Sequence, residues 1–232
     1  GPCMHETTPP VITRFEFSTN PDLRVRARIG LLVLASDQTL ERELLQLTDA
    51  VEVDLYHARL TNETVVNAKS LAKMEEELPV AAGLLPEYLG LNAIGYACTS
   101  GATIIGEDRV KAILKESHPN IPSSNPLTAA KAALKALGVE RLGLLTPYTP
   151  EVTEAMQQRF GEAGIAITLV GSFYEENDIL VGQIDPKSIL KAAVALGKSE
   201  LCDGIFISCT SLRAAGIIDE AEAELGKPVI AS

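Results

Sequence analysis

Tryptophan is absent from this 232-residue chain, and aromatic side chains make up only 4% of it. Sites that stack bases or sugar rings need such flat faces, so the composition argues against them. Positive charge is also scarce. Lys and Arg number 20 against 31 Asp and Glu, a formal net charge of −11. With no basic run, the chain is a poor partner for nucleic acid or for an anionic membrane. A small anionic ligand remains compatible, because local N–H donors outweigh a remote net charge. Only three His occur, none in a metal-ligand spacing. Gly101 and Gly106 do not form a dinucleotide fingerprint, and no phosphate-binding loop is present. No signal peptide and no apolar run of transmembrane length is visible.

Cysteine is sparse as well: Cys3, Cys98, Cys202 and Cys209. Cys3 lies in Gly1-Pro2-Cys3-Met4, which reads as a tag remnant ahead of a natural start and is set aside. Three remaining thiols and no CxxC make a poor disulfide framework. The expected location is a reducing cytoplasm, where thiols stay free.

What the chain does have is apolar substance, 46% of residues, enough for one large domain or two small lobes. Residues 1–27 read as the tag remnant and an arm. Beyond them, short β-branched or apolar runs alternate with amphipathic stretches. Strands are expected over 29–35, 51–56, 92–97, 141–146, 165–170, 204–208 and 228–231. Helices are expected over 39–47, 63–78, 102–116, 126–137, 149–163, 186–196 and 212–225. Gly138 and Gly164 stop two of these where a helix end needs positive φ. The alternation points to an α/β fold with a mainly parallel sheet in each lobe, flanked by helices.

One word occurs twice after an apolar run: Cys98-Thr99-Ser100 and Cys209-Thr210-Ser211. A thiol at a strand end, followed by small hydroxyl residues that open a helix, meets free N–H groups and a positive dipole end. Both favour a thiolate and can hold a carboxylate beside it. A second echo links Arg28-Ile29-Gly30-Leu31-Leu32 to Arg141-Leu142-Gly143-Leu144-Leu145. Arg141 lies 113 residues after Arg28, and Cys209 lies 111 after Cys98. Near-equal offsets favour an ancient duplication. Duplicated α/β halves pack about a pseudo-twofold axis, with equivalent strand ends facing across a cleft, where such sheets bind ligands. A free Cys is often only a small buried hydrophobe; the repeat makes that reading weak for Cys98 and Cys209. Cys202, between a helix and a strand, is expected to be packing. The lobes expected from this pattern are 28–123 with 212–232, and 124–211.

These motifs, with the turn Ala35-Ser36-Asp37-Gln38-Thr39-Leu40-Glu41, the run Leu145-Thr146-Pro147-Tyr148 and the closing Gly226-Lys227-Pro228-Val229-Ile230-Ala231-Ser232, resemble the aspartate/glutamate racemase superfamily. Within it, the chain is most similar to the branch of maleate cis–trans isomerases, arylmalonate decarboxylases and ectoine-utilisation racemase-like proteins. The resemblance spans about residues 28–232, and it implies a further helix beyond the present end. It also implies two lobes around a central active site, with no metal or organic cofactor. In the racemases of the superfamily, one Cys removes the α-proton and the other returns a proton to the opposite face. In the maleate isomerases one thiolate adds to the double bond. The decarboxylases carry Gly at the first Cys position, so a chain with both Cys departs from them.

The resemblance implies Cys98 and Cys209 as catalytic residues. Thr99, Ser100, Thr210 and Ser211 are the natural hydrogen-bond donors to a substrate carboxylate, and the resemblance adds Tyr148 and Asn177. Asn177 and its neighbour Asp178 stand as alternatives for the last role. Asp37 has two compatible readings: a helix N-cap, or a receptor for a substrate ammonium group, since an ionised carboxylate repels a second carboxylate. His57, expected just after the second strand, and His118 are read as structural. The expectation is a cofactor-independent racemase or isomerase of a small, amino-acid-like carboxylate, acting as a homo-oligomer. The alternatives are maleate cis–trans isomerisation with one Cys as nucleophile, an arylmalonate-type decarboxylase, and a non-catalytic small-ligand binder.

Overall fold

The computed structural model describes residues 8–23 and 26–232; Cys3 lies outside them. Residues 8–20 carry no regular structure and expose Val11, Ile12, Phe15 and Phe17.

Two four-stranded parallel sheets form the body. The first has the order β2-β1-β3-β4, from β1 (Ala27–Leu34), β2 (Val53–Leu60), β3 (Ala93–Tyr96) and β4 (Ser123–Ser124). The second has the order β6-β5-β7-β8, from β5 (Arg141–Thr146), β6 (Ala166–Ser172), β7 (Gly204–Ile207) and β8 (Val229–Ala231). The orders are identical when β5 is matched to β1, so the duplication read from the sequence is present in the topology. Cys98 follows the end of β3 by two residues, and Cys209 follows the end of β7 by two. The α/β class and the two lobes agree with expectation.

The boundary between the lobes needs one correction. Residues 212–232 do not join the first lobe: β8 is hydrogen-bonded to β7. Parallel neighbours need a crossover connection, and α9 (Ile218–Leu225) supplies it, packing on β8 and on α8 (Pro186–Gly197). Helix α5 (Pro126–Ala136) packs on α3 (Thr99–Ile105) of the first lobe and on β8 of the second.

Both sheets share a core. Leu32 and Tyr96 from the first sheet and Leu142, Leu144 and Phe206 from the second belong to one apolar cluster. Phe160, on α6 (Pro150–Glu162), meets Phe206 edge to face at 5.7 Å. Strand β7 is buried at all four positions, as expected of a strand covered on both faces.

Several boundaries shift for local reasons. The helix expected over 102–116 is two helices, α3 and α4 (Glu107–Ser117), because Gly106 adopts φ +98° between them. The helix expected over 63–78 is α2 (Ala68–Gly83), started by a reciprocal cap between Asn67 and Ser70 and continuing through Pro79. His57 lies inside β2 rather than after it, with Nε2 buried and without a hydrogen-bond partner. His118 is buried, and its Nε2 lies 2.6 Å from the Leu85 carbonyl. Helix α1 (Leu40–Leu47) and the single-turn α7 (Asp178–Val181) complete the set.

Candidate active site

The end of β1 and the loops that leave β2, β3, β5, β6 and β7 converge at the carboxyl ends of both sheets. They enclose a cavity lined by Cys98 and Cys209 together. Its walls include Thr99, Ser100, Tyr148, Thr210 and Ser211, so seven of the nine residues expected from the sequence are brought together. The enclosed space is about 20 Å³, room for roughly one water molecule.

The two thiols are held differently. Cys98 is the N-cap of α3, and its Sγ accepts the Gly101 N–H at 3.3 Å. Ser100 Oγ lies 3.7 Å from the same sulfur. Burial pushes the Cys98 thiol up to about 11; the Gly101 N–H and Ser100 hydroxyl pull it back, and the charge of Asp178 pushes it further up. The second corner does not open a helix as the sequence suggested. Cys209 adopts φ +112°, the chain turns through Thr210 and Ser211, and α9 begins only at Ile218. Burial drives the Cys209 thiol well above its ordinary range, Asp178 adds to this, and the Ser211 N–H opposes it. Burial thus favours the neutral form of both thiols.

Donors surround them. The N-terminal turn of α3 presents N–H groups beside Cys98. Tyr148 is buried, with Oη 3.0 Å from Ser208 Oγ. Burial raises its pKa well above that of an ordinary phenol, so it remains protonated. The Thr99 and Thr210 hydroxyls are already engaged. Thr99 Oγ1 lies 2.7 Å from Ser232 Oγ, which also accepts the Cys209 N–H at 3.2 Å. Ser232 thus ties one corner to the other.

Two expected residues lie elsewhere. Asp37 does not line the cavity. Its Oδ1 accepts the N–H groups of Thr39 and Leu40 at 2.8 and 2.9 Å, and its Oδ2 accepts the Thr210 hydroxyl at 2.7 Å. Asp37 is not the N-cap of α1, which is Thr39; it closes the turn ahead of that helix and adds a tie between lobes that Thr39 Oγ1 reinforces by donating to the Ser211 carbonyl at 2.9 Å. Asn177 does not line the cavity either. It caps α7, its side chain accepting the Ile179 N–H at 3.0 Å, and it bridges Val65 across the lobes.

Asp178 is the neighbour that reaches the cavity, 4% exposed and facing both thiols. Its Oδ2 accepts the Ser36 hydroxyl at 2.5 Å, and Ser36 Oγ accepts Asn62 Nδ2 at 2.8 Å. The polar turn at 174–178 signalled this region, but which of two adjacent polar residues points inward depends on the single turn of α7. Ser36 and Ser232 carried no separate signal, being small residues at strand ends. Among the described residues no Lys, Arg or His lines the cavity, although Glu63, Glu175 and Asp178 do. Among the described residues no group of His, Cys, Asp and Glu is arranged to hold a metal ion, and no helix is long and apolar enough to cross a membrane. Cys202 is buried among the core of the second sheet, as expected.

Residues 56–232, well over half the chain, match the family model described as arylmalonate decarboxylase. The chain belongs to that family. Its relatives include the maleate isomerase of Alcaligenes faecalis, 23% identical over 218 residues that cover 88% of this chain and 86% of the relative. The maleate isomerase of Nocardia farcinica is 27% identical, covering 88% and 85%. In fold, the chain matches a mutant of the Nocardia farcinica maleate cis–trans isomerase with a covalently bound succinylcysteine intermediate. The TM-score is 0.79 at 24% identity, covering 88% of this chain and 87% of the other. The family expected from the motifs is thus the family found, and an isomerase agrees with the expected class of enzyme.

Proposed function

We propose that this protein is a cofactor-independent isomerase of a small carboxylate, with Cys98 and Cys209 acting from opposite walls of one cavity. The observation that carries this is the placement of both thiols on equivalent strand ends, lining the same enclosed space. The maleate isomerases among its relatives support cis–trans isomerisation as the reaction. In that chemistry a thiolate adds to one alkene carbon, and the electron pair of the double bond moves toward the adjacent carboxylate. The remaining single bond rotates, and the pair returns to expel the thiolate from the trans product. The N–H groups of α3 and the Tyr148 hydroxyl stabilise the charge as it develops on the carboxylate. The nucleophilic thiol gives its proton to solvent as it becomes the thiolate, and the second thiol, still protonated, is the donor to the developing charge.

A second reading keeps the same thiols but makes them an acid–base pair that racemises an amino-acid-like substrate. The uncompensated acidic lining favours it, because a dicarboxylate meets no counter-charge there. One set of measurements separates the two. Conversion of maleate or its monoamide to the trans isomer, followed by absorbance, supports the first. Solvent deuterium entering the α-carbon of an amino acid, followed by NMR, supports the second. Cys98→Ser and Cys209→Ser are each expected to reduce turnover by at least about a thousandfold. Full turnover by either single variant overturns the two-thiol proposal.

A further inference from the structure

We infer that Asp178 is a specificity-determining residue of this cavity, selecting substrates whose second polar group is a cation or an N–H donor and rejecting a second carboxylate. The inference rests on the reading of the cavity as a two-thiol carboxylate site and names its substrate class: small carboxylates bearing an amine or amide nitrogen.

The argument is one of position and partners. Asp178 is buried, yet its side chain borders the cavity that holds both sulfurs. It is anchored from two sides. Its backbone N–H donates to the Thr64 carbonyl at 2.8 Å, and its Oδ2 takes the Ser36 hydroxyl, which Asn62 in turn holds. None of these partners carries positive charge. Of the other carboxylates near the cavity, Glu63 pairs with Lys73 at 2.8 Å and Asp37 is taken up by two N–H groups and Thr210, while Glu175 lines the wall with no cation beside it among the described residues and is separated from Asp178 by the test below. A buried carboxylate without a paired cation is unfavourable. A ligand that brings a cation or donor removes that penalty; one that brings a second carboxylate adds to it. A cation there also offsets the Asp178 charge, which adds to the burial that favours the neutral form of both thiols. Tyr148 and Glu175 are the remaining titratable groups on the cavity wall.

Two thiol reagents of similar bulk and opposite charge test this without turnover: 2-(trimethylammonio)ethyl and 2-sulfonatoethyl methanethiosulfonate. Their rates at Cys98 and Cys209 are followed by mass spectrometry of peptides from the intact protein. Each is normalised to the same reagent's rate with 2-mercaptoethanol. The wild-type ratio is expected to favour the cation by about tenfold or more. Asp178→Glu is expected to keep that preference, and Asp178→Asn to bring it near one. Glu63→Gln and Glu175→Gln are expected to leave it in place. A wild-type ratio at or below one overturns the inference, even if Asp178→Asn cannot be produced folded. So does a preference that survives in folded Asp178→Asn or disappears in Glu175→Gln. Loss of turnover in the cysteine variants tests the underlying two-thiol reading separately, since labelling needs no turnover.

Discussion

The most telling single residue is Cys209, whose thiol stands on a backbone at φ +112°. An L-residue there is strained by about 1–3 kcal/mol, whereas glycine is not. Cys209→Gly is therefore expected to raise stability by about 1 kcal/mol in urea denaturation while turnover is lost. A destabilised variant would show that the thiol's packing outweighs the strain. Cys98 makes a separate prediction. Its pKa is raised from 9.0 to about 11, so the unfolded chain gives up this proton first. The stability this contributes is complete below pH 9 and is lost as pH climbs through 11. The urea midpoint should fall over that interval, and fall less steeply in Cys98→Ser. At this scale the sequence showed both thiols, because the repeated Cys-Thr-Ser word carries them. It did not reveal the strain at Cys209 or which acid faces the sulfurs. Asp37 and Asp178 are alike in type, and only the fold turns one toward backbone N–H groups and the other toward the cavity.

Among the elements, α3 sets the first corner. A Cβ built on Gly101 would lie 2.2 Å from Tyr96 Oη, and Tyr96 is wholly buried. Gly101→Ala is expected to cost about 1–3 kcal/mol and to displace the N–H that Cys98 Sγ accepts. Gly161, near the end of α6, has open space where its Cβ would be. Gly161→Ala is expected to stabilise by about 0.5–1 kcal/mol, so paired melting curves should move in opposite directions. The long strands were legible because their apolar runs are bounded by turn residues, and the repeat fixed their equivalence. The two-residue β4 and the four-residue α7 were not, since neither is long enough to show a period. The split between α3 and α4 turns on the backbone angle of Gly106, which composition does not reveal.

For the whole molecule, the lobes are joined by one apolar core and by polar ties: Thr210 to Asp37, Thr39 to Ser211 and Ser36 to Asp178. Urea unfolding is expected to be a single transition, with fluorescence of the five tyrosines and far-ultraviolet dichroism superimposing. Separate transitions would show the lobes to be independent. The duplication was legible as two near-equal offsets; the path of the carboxyl-terminal segment was not, because it depends on which sheet edge α9 returns the chain to.

The matching sheet orders have one last consequence. Were the halves identical, a flat substrate could enter in either of two poses exchanged by the pseudo-twofold axis, and the thiols would trade tasks at random. The equivalent turns after β1 and β5 instead carry Asp37, folded back onto its own helix, and Tyr148, with its hydroxyl buried beside Ser208. Only Tyr148 of the two lines the cavity, so the two poses would meet different walls. For the substrate proposed above, each sulfur would then meet one preferred face, a handedness that the architecture alone would not give the site.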